Sequence, residues 1–324
     1  MIDIPNVTFI CYLGAKDCLK DLSELSLRSD LYPEFFYQLS QVCHHIQYLD
    51  IKFVEVISNG VTDLISVQKN LKHLYIMQSF DCEDLTSIIH SITKLPDTLI
   101  KFELYGGRHH IPLSFISNFT KLQELVLSFY IYGDSFGYFK KIHHIIFPQL
   151  QILKFPFGHP EIVTLIKFLE INGKNLKEFR ISSPDNSLYL VIDKFCPNLR
   201  KLFTIEIKEL ELLKKIFNGC QYLESIKIWC GDNYLSDKDV LETVVKYSPK
   251  NFYELNMVIN KRSVILSEEL EEFFIIWKNR IPKKSLSFAI EGNNFNNLEM
   301  NNGIMEVIKK YQKFGVIKKF KIIM

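Results

Sequence analysis

Asn70-Leu71-Lys72-His73-Leu74-Tyr75-Ile76 sets three apolar residues at positions one, four and six of a short motif, L-x-x-L-x-L. The last four alternate, as a strand does when one face is buried and the other is not. The same phrase stands at Asp21–Leu27, His45–Ile51, Thr98–Leu104, Lys121–Leu127 and Gln149–Phe155. It returns at Asn175–Ile181, Asn198–Thr204, Tyr222–Ile228 and Asn251–Met257, and in weaker form at Lys284–Ile290 and Val316–Ile322. Successive phrases start 24, 25, 28, 23, 28, 26, 23, 24, 29, 33 and 32 residues apart.

Nine of those eleven spacings fall in the ~20–29 residue period of leucine-rich repeats. A single strand cannot bury its apolar side alone, whereas stacked copies share one continuous core. Between phrases the pattern turns helical. Pro160–Leu169 opens with a proline suited to a first helical turn. Ser236 caps Val240–Tyr247, and Glu209–Phe217 and Ser267–Asn279 repeat the theme. The reading is an α/β leucine-rich-repeat solenoid, a horseshoe of about twelve strand–helix repeats with a parallel sheet on its concave face. Residues 1–20 are read as an N-terminal cap or remnant, and 21–324 as the repeat domain, atypical from 284.

Composition agrees with a folded, non-membrane chain: 47% of 324 residues are hydrophobic. Lys and Arg (39) nearly balance Asp and Glu (37), which argues against a nucleic-acid partner. No apolar run approaches the ~20 residues of a bilayer span; Phe273–Trp277 is among the longest. Met1-Ile2-Asp3-Ile4-Pro5 lacks the basic start of a secretory signal. Seven scattered cysteines without a C-x-x-C pair fit reduced thiols in cytoplasm or nucleus, where the sequons at Asn6 and Asn118 carry no meaning. Cys43, Cys196 and Cys220 each stand three residues before the first apolar position of a phrase and are read as buried packing residues.

Phe195-Cys-Pro-Asn-Leu-Arg-Lys-Leu202 and Gly219–Ile228 resemble the cysteine-containing leucine-rich repeats of F-box/LRR proteins, the substrate receptors of SCF-type ubiquitin ligases. Asp30–Cys43, Ile65–Ile76, Cys220–Cys230 and Lys246–Met257 resemble an expanded fungal set of F-box-domain-like proteins. The resemblance spans nearly the whole chain and implies substrate recognition for ubiquitination. It further implies docking to a SKP1-type adaptor where an F-box precedes the repeats. That helical module of about 40–50 residues is small for a domain, yet Met1–Lys20 is shorter still, so the expectation is a fragment or a repeat-only relative. The asparagine usual at the ninth repeat position is replaced by Ser79, Gly107 and Gly231, so irregular turns are expected there.

No catalytic site, cofactor or metal is expected. Gly133-Asp-Ser-Phe-Gly137 matches the hydrolase elbow G-x-S-x-G, but it lies in a repeat loop, and Gly, Asp and Ser are turn residues. The pairs His44-His45, His109-His110 and His143-His144 lack a third ligand at suitable spacing, and neighbours along a strand point to opposite faces. Gly106-Gly107 is read as a turn, since no GK[ST] follows. Asn293–Asn302 is read as a loop, and Lys318-Lys319-Phe320-Lys321 as a lysine-defended edge strand.

If the register holds, the face opposite the core carries a protein partner, with the chain itself a monomer. Its fifth positions are Asp50, Tyr75, Glu103, Val126, Lys154, Arg180, Phe203 and Lys227. Flanking columns hold Tyr48, His73, Lys101, Glu124, Glu178 and Lys201, and Met77, Tyr105, Ser128, Ser182, Ile205 and Trp229. Large side chains with a polar handle dominate binding hot spots. The candidate contact residues are therefore Tyr48, His73, Tyr75, Tyr105, Lys154, Arg180, Lys201, Phe203, Lys227 and Trp229. From Lys154 to Lys227 the face reads as mostly basic, fitting an acidic partner segment.

Overall fold

The structure, a computed structural model, describes residues 12–55, 57–80, 82, 85–106, 113–129, 136–182, 184–231, 233–259, 265–292 and 302–323. Its contacts divide it into two units, Met1–Asn172 and Gly173–Met324. In the first unit β1 (Glu24–Arg28), β2 (Tyr48–Phe53), β3 (His73–Gln78), β4 (Lys101–Gly106), β5 (Glu124–Ser128) and β6 (Ile152–Phe155) pair in chain order. Every pair is parallel. The second unit repeats this with β7 (Glu178–Ile181), β8 (Lys201–Ile205), β9 (Ser225–Cys230), β10 (Glu254–Ile259), β11 (Leu286–Glu291) and β12 (Ile317–Ile323), again parallel throughout. Each strand coincides with one of the twelve sequence phrases.

The register is that of the repeat. Leu25, Leu49, Leu74, Phe102, Leu125 and Leu153 stand opposite one another in the first unit. Phe179, Leu202 and Ile226 do so in the second, as do Ile226, Leu255, Phe288 and Phe320. Apart from Leu25 and Phe320 at the ends of the two runs, these side chains are at most 1% exposed. Burying one such side chain contributes ~1.5–3 kcal/mol, and stacking multiplies that gain along the chain. The parallel order forces a crossover after each strand, and a helical segment supplies it in most repeats.

Those segments are α1 (Ala15–Leu19) ahead of β1, then α2 (Pro33–Ser40), α3 (Asn59–Ser66) and α4 (Thr86–Ile92). They continue as α5 (Ile162–Asn172), α6 (Asn186–Phe195), α7 (Leu210–Gly219), α8 (Asp237–Tyr247), α9 (Ser267–Lys278) and α10 (Asn302–Lys313). Ser236 caps α8 by accepting the Asp239 N–H at 3.1 Å, and its hydroxyl donates to Asp239 Oδ2 at 2.7 Å. The helix expected from Pro160 starts at Ile162, because the Glu161 carbonyl accepts the first helical bond, from Leu165 N–H. Two crossovers are shorter 3₁₀ turns, Leu113–Asn118 and Gly137–Lys141. In the first, Ser117 turns its hydroxyl onto the Ser114 carbonyl at 2.7 Å, a local bond that competes with helix.

Neighbouring crossovers pack so closely that glycine is required. A Cβ on Gly219 would lie 2.1 Å from Asp193 Cβ, and one on Gly60 would lie 2.4 Å from the Pro33 carbonyl oxygen. Gly231, just after β9, has φ +106°, a conformation that L side chains rarely adopt.

The cysteine slot forms a ladder. Cys43, Cys196 and Cys220 are fully buried. Cys43 Sγ donates to the Leu19 carbonyl at 3.4 Å, and Cys220 Sγ to the Cys196 carbonyl at 3.7 Å. Gln68 occupies the same slot in the third repeat, where Nε2 donates to the Cys43 carbonyl at 2.7 Å and Oε1 accepts Ile46 N–H at 3.0 Å. One residue off that slot, Asn172 accepts Phe147 N–H at 2.7 Å and donates to the Ile145 carbonyl at 2.9 Å. Cys43, Gln68, Asn172 and Cys220 thus each tie their own repeat to the segment before it.

Around the ninth position of the second repeat, Val54, two hydroxyls from the neighbouring repeats bond the backbone, Ser29 from an eighth position and Ser79 from a ninth. Ser29 Oγ accepts Val54 N–H at 3.2 Å, and the Ser79 hydroxyl donates to the Val54 carbonyl. Gly107, His109, His110, Gly133, Asp134, Ser135 and residues 293–301 lie outside the described residues.

Candidate binding face of the sheet

Strand alternation puts positions three, five and seven on the side of the sheet away from the core. The register aligns Asp50, Tyr75, Glu103, Val126 and Lys154 in one row across β2 to β6. All are half-buried except Val126, which is 1% exposed. In the second unit Arg180 stands opposite Phe203, and Lys227 opposite Asn256.

Among the candidate residues of the first unit, the structure makes three groups. Tyr75 and Tyr105 stack with centroids 5.2 Å apart and planes inclined 30°. Tyr48 meets His73 edge-on at 6.1 Å. Lys154 joins an ion-pair chain, bonding Glu124 at 3.0 Å, while Lys101 reaches Glu103 at 2.8 Å and Glu124 at 3.5 Å. The side chains of this chain are between 14% and 28% exposed, so its charges are screened less than ordinary surface pairs. Tyr105 ties the two groups by donating to Glu103 Oε2 at 3.2 Å.

The electrostatics follow from these neighbours. Burial, with Asp50 and Glu103 on either side, pushes the Tyr75 phenol above its ordinary range. Burial, then Asp50 and Glu103, does the same to Tyr48. Burial alone would lower the Lys101 ammonium, but the hydrogen bond and charge of Glu103, with Glu124 beyond, raise it overall.

In the second unit Lys227 Nζ donates to Glu291 Oε2 at 2.6 Å. Trp229 lies 6.1 Å from Tyr234, which donates to Glu206 Oε2 at 3.1 Å. Glu206 N–H in turn donates to the hydroxyl of fully buried Tyr189 at 2.9 Å. Trp229 Nε1 is shielded and has no acceptor among the described residues. Arg180 is exposed, and Lys201 and Phe203 are half-buried.

Two expectations change. The run from Lys154 to Lys227 is less basic than its letters imply, because Glu124 and Glu291 neutralise its two ends. In β8 the backbone register slips by one, so Ile205 pairs with Ile228 rather than with Trp229. The slip falls where the sequence places Thr204 at the sixth, otherwise apolar, position of its phrase. Sequence reasoning missed Glu291, which lies one residue beyond its phrase in the register column of Val258 and Trp229, and Tyr234, which lies in a loop.

Phe136 of the G-x-S-x-G stretch sits 4.6 Å from Phe129 and 5.9 Å from Phe155. His143 and His144 meet edge-on at 5.4 Å, and among the described residues no three His, Cys, Asp or Glu converge. Nor, among them, is any helix long and apolar enough to cross a membrane.

Parallel strands in chain order, crossed over mostly by helices and cored by L-x-x-L-x-L, define the leucine-rich-repeat class. No protein-family model matches the chain, and no curated protein does. Among solved structures it is similar to the leucine-rich repeat-containing protein LegL7 from Legionella pneumophila, at 11% identity and a TM-score of 0.47. That likeness covers 82% of this chain and 92% of the other.

Proposed function

We propose that this chain is a non-catalytic protein-binding module that holds its partner on the open face of the repeat sheet. The observation carrying this reading is the in-register row Asp50–Tyr75–Glu103–Val126–Lys154 with the Tyr75–Tyr105 stack upon it. Stacked tyrosines among organised charges present large, low-entropy contact area, the chemistry of binding hot spots. Tyr48, His73, Tyr75, Tyr105 and Lys154 form the proposed contacts of the first unit. Arg180, Lys201, Phe203, Lys227 and Trp229 form those of the second.

The finer reading is substrate recognition for an F-box-type ubiquitin ligase, acting as a monomer in cytoplasm or nucleus. It is supported by the resemblance of Phe195–Leu202 and Gly219–Ile228 to cysteine-containing repeats. The buried, unpaired thiols of Cys43, Cys196 and Cys220 are compatible with a reducing compartment. The alternative is a scaffold with no ligase role.

Affinity purification from cell extract with mass spectrometry separates them, using this chain and any form extended upstream by an encoded F-box. Capture of SKP1-type adaptor and cullin by the extended form alone, with other partners shared, supports the receptor reading. Absence of ligase components, with a partner lost on Trp229→Ala or Arg180→Ala, establishes the scaffold. A partner indifferent to every face substitution refutes the binding reading itself.

A further inference from the structure

On that binding reading, we infer that the face formed by β2, β3 and β4 takes an arginine side chain of the partner, laid over Tyr75 between Asp50 and Glu103. In the register Tyr75 has Asp50 beside it on one strand and Glu103 on the other. Adjacent strands lie ~4.8 Å apart, so the two carboxylates flank one aromatic ring. Tyr105 and the Tyr48–His73 pair extend the aromatic platform on the same face.

The carboxylates are not equivalent. Glu103 is satisfied, with Lys101 on Oε1 at 2.8 Å and the Tyr105 hydroxyl on Oε2 at 3.2 Å. Glu124 is held by Lys101 and Lys154. Among the described residues Asp50 receives only the Ser26 hydroxyl, on Oδ2 at 2.9 Å, and its shielded Oδ1 has no partner among them. Among the described residues no cation pairs with Asp50; Lys52, two residues along the strand, is exposed.

A shielded carboxylate oxygen without a donor is costly, so this face gains most from a partner that brings one. A guanidinium supplies charge, a planar fork for the carboxylate and a surface that stacks on tyrosine. A neutral or acidic side chain supplies none of these together. Reaching Oδ1 requires neighbouring side chains to change rotamer, which is common at interfaces. Burial raises the phenols of Tyr48 and Tyr75, and the charges of Asp50 and Glu103 add to it.

The test uses the whole chain and two pools of a fluorescent decapeptide library, alike except for arginine or its neutral isostere citrulline at the centre. Fluorescence anisotropy reads binding. Unmodified protein is expected to bind the arginine pool about tenfold more tightly than the citrulline pool. That preference should shrink as sodium chloride rises and fall below about twofold in Asp50→Asn or Tyr75→Leu. Equal binding of both pools, or a preference that both variants and salt leave intact, overturns the arginine site alone. Failure of every pool to bind overturns it together with the binding reading beneath it.

Discussion

Replacing Gln68 by methionine keeps the volume of the side chain and removes every hydrogen bond it makes. Gln68 is 1% exposed, accepts from Ile46 N–H at 3.0 Å, and donates to the carbonyls of Cys43 at 2.7 Å and Leu64 at 2.8 Å. Leu64 lies within α3, whereas the Ile46 amide and Cys43 carbonyl belong to the preceding loop, and Gln68 supplies their bonds. Stranding a buried backbone group costs about 1–3 kcal/mol, and two are stranded. Methionine recovers part of this, because no carboxamide is then desolvated, and the net loss is about 3 kcal/mol. Urea denaturation followed by both circular dichroism and fluorescence measures it, two probes being needed because repeat arrays can unfold in parts. Hydrogen exchange localises it, since the Ile46 amide should lose protection ahead of the rest of the second repeat. A loss below about 1 kcal/mol, or unchanged exchange at Ile46, would show that Gln68 does not hold the second and third repeats together.

Gly219→Ala puts a methyl 2.1 Å from Asp193 Cβ, and overpacking of this kind costs about 1–3 kcal/mol, readable as a lowered thermal midpoint. Arg280 donates to Ser248 Oγ at 2.8 Å and to the Ser248 carbonyl at 2.6 Å while stacking 4.4 Å from the Trp277 ring. Arg280→Lys keeps the charge but loses the fork, so denaturation should show a loss of about 2 kcal/mol rather than neutrality. Burial pushes the Cys220 thiol up from 9.0 to about 12. Its unfolded form therefore gives up its proton first, and its contribution to stability, intact below about pH 8.5, declines at up to about 1.4 kcal/mol per pH unit toward pH 12. Stability measured at pH 8, 9 and 10 should fall less steeply in Cys220→Ala than in the parent.

The strands were legible because their signal is local and repeated. Leu71, Leu74 and Ile76 mark a buried side by spacing alone, and that spacing recurs often enough to fix the register. Thr204 broke the pattern, and that break is where the structure slips its register. Gln68 was illegible as a structural residue because a polar side chain in a loop reads as solvent-facing. Only its place in the slot of Cys43, Cys196 and Cys220 could have marked it. The positions of Tyr75, Tyr105 and Lys154 on one face followed from the alternation. Their partners did not, since Lys154 chooses Glu124, and Lys227 chooses Glu291 across an intervening strand, through long rotamers that sequence spacing does not determine. The two 3₁₀ crossovers escaped for a related reason, as apolar periodicity does not separate a tight turn from a short helix.

The proposed function requires that partners bind the open sheet face and not the helical side. A photo-crosslinking residue placed at Tyr105 or Trp229, and separately at Val163 on α5, which is 66% exposed, tests it with any partner recovered by affinity purification. A covalent adduct is expected from both sheet positions and none from Val163. Adducts from Val163 alone would contradict it and move the binding surface to the helices.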